Sequence, residues 1–177
     1  MGLYTGSGIF SGTSNSGKNG GIIQTVYNRV NGAQSVSGNG VNISALNTSI
    51  TPVSTNSRIL VWVNLGTSSG NTNSQTYEIR RNGSSISDHK GDAAGSRQTR
   101  TFRGAKNWNS DGNHGYALTF AVEDFPQTTS SVEYRLYAHP ESNNTTYVNR
   151  TENDVNGSDN YQSRCMSNMI LFEIGDT

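Results

Sequence analysis

The chain of 177 residues carries no net charge, and only 31% of its residues are hydrophobic and 15% charged. That length suits one domain, or a domain plus an arm, with enough chain to bury a real core. Neutrality removes the bulk attraction that a nucleic-acid or anionic-membrane binder uses, no apolar run is long enough to span a bilayer, and a single cysteine, Cys165, excludes an intrachain disulfide.

The apolar share falls below the roughly 45–50% of an average domain, a count that includes Gly. Gly, Ser, Thr and Asn fill the gap. Disordered chains combine low hydrophobicity with high net charge. Here the charge is zero and the β-branched and aromatic residues are clustered, so the expectation is many short strands joined by polar turns. The first residues, Met1-Gly2-Leu3-Tyr4-Thr5-Gly6, lack the basic and apolar regions of a signal peptide, so synthesis in the cytoplasm is expected.

Residues 1–21 are dominated by Gly, Ser and Asn, with only Leu3, Tyr4, Ile9 and Phe10 able to pack. Such a segment does not offset its own ordering entropy. It is either a disordered tail or an arm that orders on a partner through Tyr4, Ile9 and Phe10. The folded domain is expected over 22–177.

Strands are predicted over 22–30 and 41–50, with Asn31-Gly32 and Asn39-Gly40 as turns. The run 58–65 is apolar at nearly every residue, so a strand buried on both faces is expected, with Trp62 in the core. Residues 66–73 read as a polar loop, and 75–81 as a strand with Tyr77 and Ile79 on one face and Glu78 and Arg80 on the other. Asn82-Gly83 is a strong hairpin signal, with 84–87 as the return. Residues 88–115 show no clear period, which marks a functional insertion or hidden irregular strands.

Alternation resumes at 116–125, where Tyr116, Leu118, Phe120 and Val122 share a face, and at 132–138, where Val132, Tyr134 and Leu136 point inward. Tyr147 and Val148 suggest a short edge strand, and 164–174 a closing strand that holds Cys165 as a small packed residue. No stretch has helical period. The predicted fold is all-β, an antiparallel two-sheet jelly-roll sandwich with a short N-terminal arm.

No constellation for catalysis stands out. His89, His114 and His139 lie near Gly or Pro in predicted loops or strand ends and read as solvated. With no helical segment there is no strand-to-helix nucleophile elbow, and no zinc spacing is present, so neither enzyme activity nor a cofactor is expected. The Asx-rich stretches 109–113 and 153–159 offer oxygen ligands but lack the terminal bidentate Glu of a calcium loop. Asn-x-Ser/Thr sequons such as those at Asn42, Asn47, Asn143 and Asn149 arise by chance in such a composition.

The one basic cluster is Arg97, Arg100, Arg103 and Lys106, with Phe102 and Trp108 interleaved. A solvated or intersubunit loop, the acidic surface of another protein and single-stranded nucleic acid are the three readings. Four cations within ten residues of a neutral chain favour a protein interface. Trp108 and Tyr147, beside Asx-rich loops, are the candidates for glycan contact.

Ser49-Ile50-Thr51-Pro52 followed by Ser57-Arg58-Ile59-Leu60-Val61 resembles a strand pattern of small structural proteins of tailed phages, common in marine and cyanobacterial phage genomes. Ile22-Ile23-Gln24-Thr25-Val26 is similar to their first strand. Thr119-Phe120 with Asp124 resembles their central strand, with Thr in place of Ser. Met169-Ile170-Leu171-Phe172-Glu173-Ile174 resembles their closing strand, with Met in place of the first Leu. The resemblance implies a jelly roll of the kind seen in complement C1q and tumour necrosis factor, as a homotrimer. It further implies a virion location, as an exterior capsid decoration or short fibre attached through the arm to a capsid or tail protein. The alternative is a receptor-binding tail-fibre tip that recognises host surface glycans. Outward tyrosines such as Tyr137 are candidates for the trimer interface.

Overall fold

A strand is specified when every second residue is apolar, and this pattern recurs along the chain. The computed structural model describes residues 21–69, 74–104 and 112–175. Twelve strands form: β1 (Ile22–Val30), β2 (Gln34–Ser37), β3 (Val41–Asn42), β4 (Thr48–Ile50), β5 (Arg58–Ser69), β6 (Gln75–Arg81), β7 (Ser84–Ser85), β8 (Phe102–Arg103), β9 (Tyr116–Asp124), β10 (Val132–Pro140), β11 (Thr145–Val148) and β12 (Ser167–Ile174). Only short 3-10 turns accompany them among the described residues. The attachment residues Tyr4, Ile9 and Phe10, along with Lys106 and Trp108, lie outside the described residues.

Two antiparallel sheets pack face to face. One runs β1-β12-β5-β9, with β11 and then β2 added at the far end of β5. The other runs β3/β4-β10-β6-β7/β8. Taking β3/β4 and β7/β8 as single interrupted strands, and setting β2 and β11 aside, the orders become first-eighth-third-sixth and second-seventh-fourth-fifth. This is the connectivity of a jelly roll, in which each sheet alternates between early and late segments of the chain.

Between the sheets, Ile59, Val61, Val63 and Leu65 of β5 and Met169 and Leu171 of β12 meet Tyr77 and Ile79 of β6 and Tyr134 and Leu136 of β10. The two buried tyrosines need partners for their hydroxyls. Tyr134 donates to Asp124 Oδ2 at 2.7 Å, and Arg81 donates to both oxygens of the same carboxylate. Tyr77 donates to Gln75 and lies 3.1 Å from the Thr67 hydroxyl. Burial pushes both phenols above the usual tyrosine range.

The two stretches that carry the phage resemblance touch. Glu173 is fully buried, and its Oε1 accepts the backbone N–H of Val53 at 2.7 Å. The closing strand thereby anchors the turn that follows Pro52.

Several segments depart from expectation. Over residues 58–64, strand β5 is buried on one face only. Leu60 and Trp62 point away from the core, and Trp62 is 39% exposed. Its apolar run is a core face plus an apolar outer face. Of the polar loop expected over 66–73, residues 66–69 are instead the end of β5, and 70–73 lie outside the described residues. Thr67 donates to Tyr147 O at 3.0 Å and Ser68 to Arg150 O at 3.2 Å, and Ser69 lies 3.1 Å from the Tyr116 hydroxyl, so small polar side chains are buried without orphaned groups. Strand β11 is not an edge, because β2 and β5 flank it.

The strand expected over 41–50 is broken by a turn at Ser44–Leu46, yet both pieces pair with β10 and Ile43 N–H donates to Leu136 O at 2.8 Å across the break. The Asn82-Gly83 hairpin forms as read, with φ of 50° and 80°, the two left-handed residues of a type I′ turn. Cys165 precedes β12 and is exposed, so it is not packed within that strand.

Its thiol nevertheless sets a constraint on β5. A Cβ built at Gly66 would collide with Cys165 Sγ. Gly66→Ala should therefore lose about 1–3 kcal/mol through overpacking, read as a lower urea midpoint, and Cys165→Ala in the same chain should restore most of the loss. Equal stability of Gly66→Ala and the parent would count against this contact.

Candidate functional site

The two sheets present chemically different outer faces. On the first, register aligns Tyr27, Ile170, Trp62 and Ala121 across β1, β12, β5 and β9. The adjacent row is Thr25, Phe172, Leu60 and Glu123. Tyr27 is 53% exposed and Trp62 39%. A polar row closes one side, where Thr119 and Trp62 donate to Asn64 Oδ1 and Asn64 donates to Asn168. Arg58 and Glu123 form an ion pair at 2.8 Å near the other side. The result is an apolar band four strands wide on a chain poor in apolar residues. Tyr137, the expected interface tyrosine, is not part of it. It lies on the second sheet, half-buried, with the Arg80 guanidinium 4.0 Å from its ring centroid.

The outer face of the second sheet is organised around Glu78 of β6. The Glu78 side chain is only 2% exposed. Arg80 donates to its Oε2 at 2.9 Å and Lys90 to its Oε1 at 2.9 Å, and Ser85 also donates to Oε1. His139 Nε2 lies 3.1 Å from Oε2, and His139 Nδ1 lies 2.7 Å from Asn39 Oδ1. Burial by itself would raise the Glu78 carboxyl. The bonds from Ser85, Arg80 and Lys90 and the Arg80 charge outweigh it and hold the group at about 2.

His139 was expected to be a solvated loop histidine and is instead a nearly buried group at the end of β10. Desolvation and the nearby Arg100 charge lower its pKa, against the pull of Glu78.

Lys90 belongs to the aperiodic stretch of the sequence. Its bond to Glu78, with Ser85 on β7 and Ile86 packed against the core, holds that stretch across the sheet. The stretch ends in β8, where Arg103 pairs with Thr76 and Phe102 with Tyr77. Phe102 stacks on Phe120 with centroids 4.0 Å apart.

This path divides the basic cluster. Arg100 and Arg103 line a cleft of about 350 Å3 together with Thr76, His139, Asn39 and Glu141. Arg97 does not line it and donates to Ala94 O at 3.3 Å. Among the described residues neither Arg100 nor Arg103 pairs with a carboxylate.

Tyr147 is half-buried on β11, and the Arg150 guanidinium sits 4.4 Å from its ring centroid. That face of the ring is therefore already occupied by a cation. The carboxylate of Asp154, in the second Asx-rich stretch, accepts from Arg164 at 2.6 Å and lies 3.8 Å from Arg150. It is neutralised by guanidiniums, which opposes its use as a cation ligand. Strand register brings Glu78, Thr76 and His139 together, and the path of the chain after β7 adds Lys90, so the group leaves no local signal in the sequence.

No family model matches the chain, and no curated protein matches it either.

The Glu78 cluster makes the fold acid-sensitive. The carboxyl falls from an ordinary value of 4.5 to about 2 on folding, so its contribution is full above about 4.5 and is lost as pH falls towards 2. The difference is on the order of 2–3 kcal/mol at neutral pH. Urea midpoints of the parent should drop steeply across that window, and those of Glu78→Gln should start lower and drop less. Parallel curves for the two proteins would remove Glu78 as the cause.

Proposed function

We propose that the protein is a virion structural protein of a tailed phage, a homotrimeric exterior capsid decoration or short fibre. Its role on this reading is assembly rather than catalysis. The observation that carries the reading is the apolar band of Tyr27, Trp62, Leu60, Ile170 and Phe172 on the outer face of the first sheet. Contiguous exposed apolar surface of this kind marks an association site. In a chain with 31% hydrophobic residues, apolar side chains held outside the core are better explained by burial against another molecule. Each large side chain so buried contributes about 1.5–3 kcal/mol. The phage resemblance in the motifs around Pro52 and Glu173 supports three copies as the assembly and a particle as its location.

The N-terminal arm is the proposed link to a capsid or tail protein, with Tyr4, Ile9 and Phe10 as anchors, because aromatic side chains dominate such contacts. Zero net charge supports partners other than nucleic acid.

Light scattering should give a mass of three 19.1 kDa chains at micromolar concentration. Trp62→Glu should shift this to a monomer with an unchanged circular dichroism spectrum, since Trp62 lies outside the core. A parent protein that stays monomeric, or a variant that associates like the parent, would exclude the band as the interface. Deletion of residues 1–21 should leave the trimer intact and abolish its incorporation into particles.

A further inference from the structure

The cleft beside the Glu78 cluster combines three features that differ from an ordinary solvated surface. The first is an excess of positive charge. Arg100 and Arg103 both line it against one acid among the described residues, Glu141, whose carboxylate accepts the backbone N–H of Ser74 at 3.1 Å. The second is a fixed guanidinium with donors to spare. Arg100 Nη1 donates to Thr99 O at 2.8 Å and Nη2 weakly to Gln98 at 3.4 Å. Its Nε is buried without any acceptor. A buried N–H without a partner is costly, and a ligand oxygen would relieve that cost.

The third is a rigid floor. Arg103, Thr76 and His139 are cross-strand neighbours on β8, β6 and β10, so a hydroxyl and an imidazole sit in register beside the arginine. The Thr76 hydroxyl donates to His139 O, and His139 is itself held between Asn39 and Glu78. Sites built on paired strands keep their geometry better than sites on loops.

We propose that this cleft is a binding site for the carboxylate or sulfate group of an acidic sugar unit. A guanidinium fork matches two oxygens of one oxyanion, planar carboxylate or tetrahedral sulfate, in two parallel hydrogen bonds, which a lysine cannot reproduce. The volume of about 350 Å3 lies near the lower end of the roughly 300–1,000 Å3 of small-molecule sites, so it suits one sugar unit rather than a chain segment with side chains. The remaining walls come from Asn39, Thr76, Gln98 and Ser142, which pair with hydroxyl groups. Among the described residues no Phe, Tyr or Trp lines the cleft, and the His139 ring is held between Asn39 and Glu78, so the cleft lacks the broad stacking platform that a neutral sugar would need. The acid group is what the site reads. The inference requires only the cleft and does not depend on the virion reading. It gives Arg100 and Arg103 a smaller ligand than the protein surface expected from the sequence.

The test uses the full-length chain, labelled with nitrogen-15, and follows amide resonances during titration with glucuronic acid, with glucose and with a tetraglutamate peptide. Glucuronic acid should shift the amides of Thr76, Arg100, Arg103 and His139 saturably, and more weakly as salt rises. Glucose should leave them in place. Arg100→Ala/Arg103→Ala should weaken binding at least tenfold while keeping the remaining spectrum, Arg100→Lys/Arg103→Lys should recover only part of it, and Arg97→Ala should bind like the parent. The proposal is overturned if glucuronic acid causes no saturable shift, if glucose binds equally well, or if the double alanine variant binds like the parent. Tighter binding of the peptide than of glucuronic acid would also overturn it and return the cleft to a protein partner.

Discussion

The architecture depends on one strand hydrogen-bonded along both edges. Strand β5 pairs with β9 on one side and with β12 and then β11 on the other. Its alternation therefore assigns every neighbouring side chain to a face. Inward positions Ile59, Val61, Val63 and Leu65 define the core against β6 and β10. Outward positions Leu60 and Trp62 set the two rows of the apolar band. The polar end of the strand is equally constrained. Thr67 points inward and meets the Tyr77 hydroxyl, so the first sheet is tied to the second by a buried polar contact as well as by apolar packing. A one-residue slip in β5 would put Trp62 and Leu60 into the core and expose the aliphatic face.

The second sheet solves a different problem. Its outer face is covered by a stretch with no regular structure, and a covering loop needs fixed contacts to stay in place. Glu78 supplies them. A single buried carboxylate would be unstable, but three donors and an imidazole surround this one. Charge satisfaction thus joins the packing of Ile86 and Phe102 in holding the loop. The same solution brings cations to one place. Arg80 and Lys90 are consumed by Glu78, whereas Arg100 and Arg103 have no carboxylate partner among the described residues. A neutral chain therefore has a locally cationic cleft.

The sequence showed the fold class because alternation is a local signal. Leu118, Phe120 and Val122 on β9, and Val132, Tyr134 and Leu136 on β10, share the faces that the period assigns. The Asn82-Gly83 turn was legible because its backbone conformation admits few other residues. Trp62 misled, because a run of apolar residues does not distinguish two buried faces from one buried face and one exposed apolar face. Thr67, Ser68 and Ser69 misled in the opposite sense, since their burial depends on partners on distant strands, Tyr147, Arg150 and Tyr116. The cleft was half legible. Arg100 and Arg103 drew notice as charges close in sequence, but Thr76 and His139 reach them only through the register of β8, β6 and β10.

The two outer faces point away from each other, as the outer faces of any two-layer sandwich must. A copy that associates through the first sheet buries Tyr27 and Trp62 and leaves the second sheet, with its cleft, on the outside. The division of chemistry follows that geometry. Apolar residues on the first face gain from exclusion of water and make few directional bonds. Arg100 and Arg103 on the second face keep their charge, and on the proposed reading an oxyanion supplies the acceptor that Arg100 Nε lacks among the described residues. Neither task interferes with the other, because the core between them is closed and the Glu78 cluster is satisfied without either partner. The two proposals, assembly through the first face and ligand recognition on the second, are therefore separable, each resting on the face whose chemistry suits it.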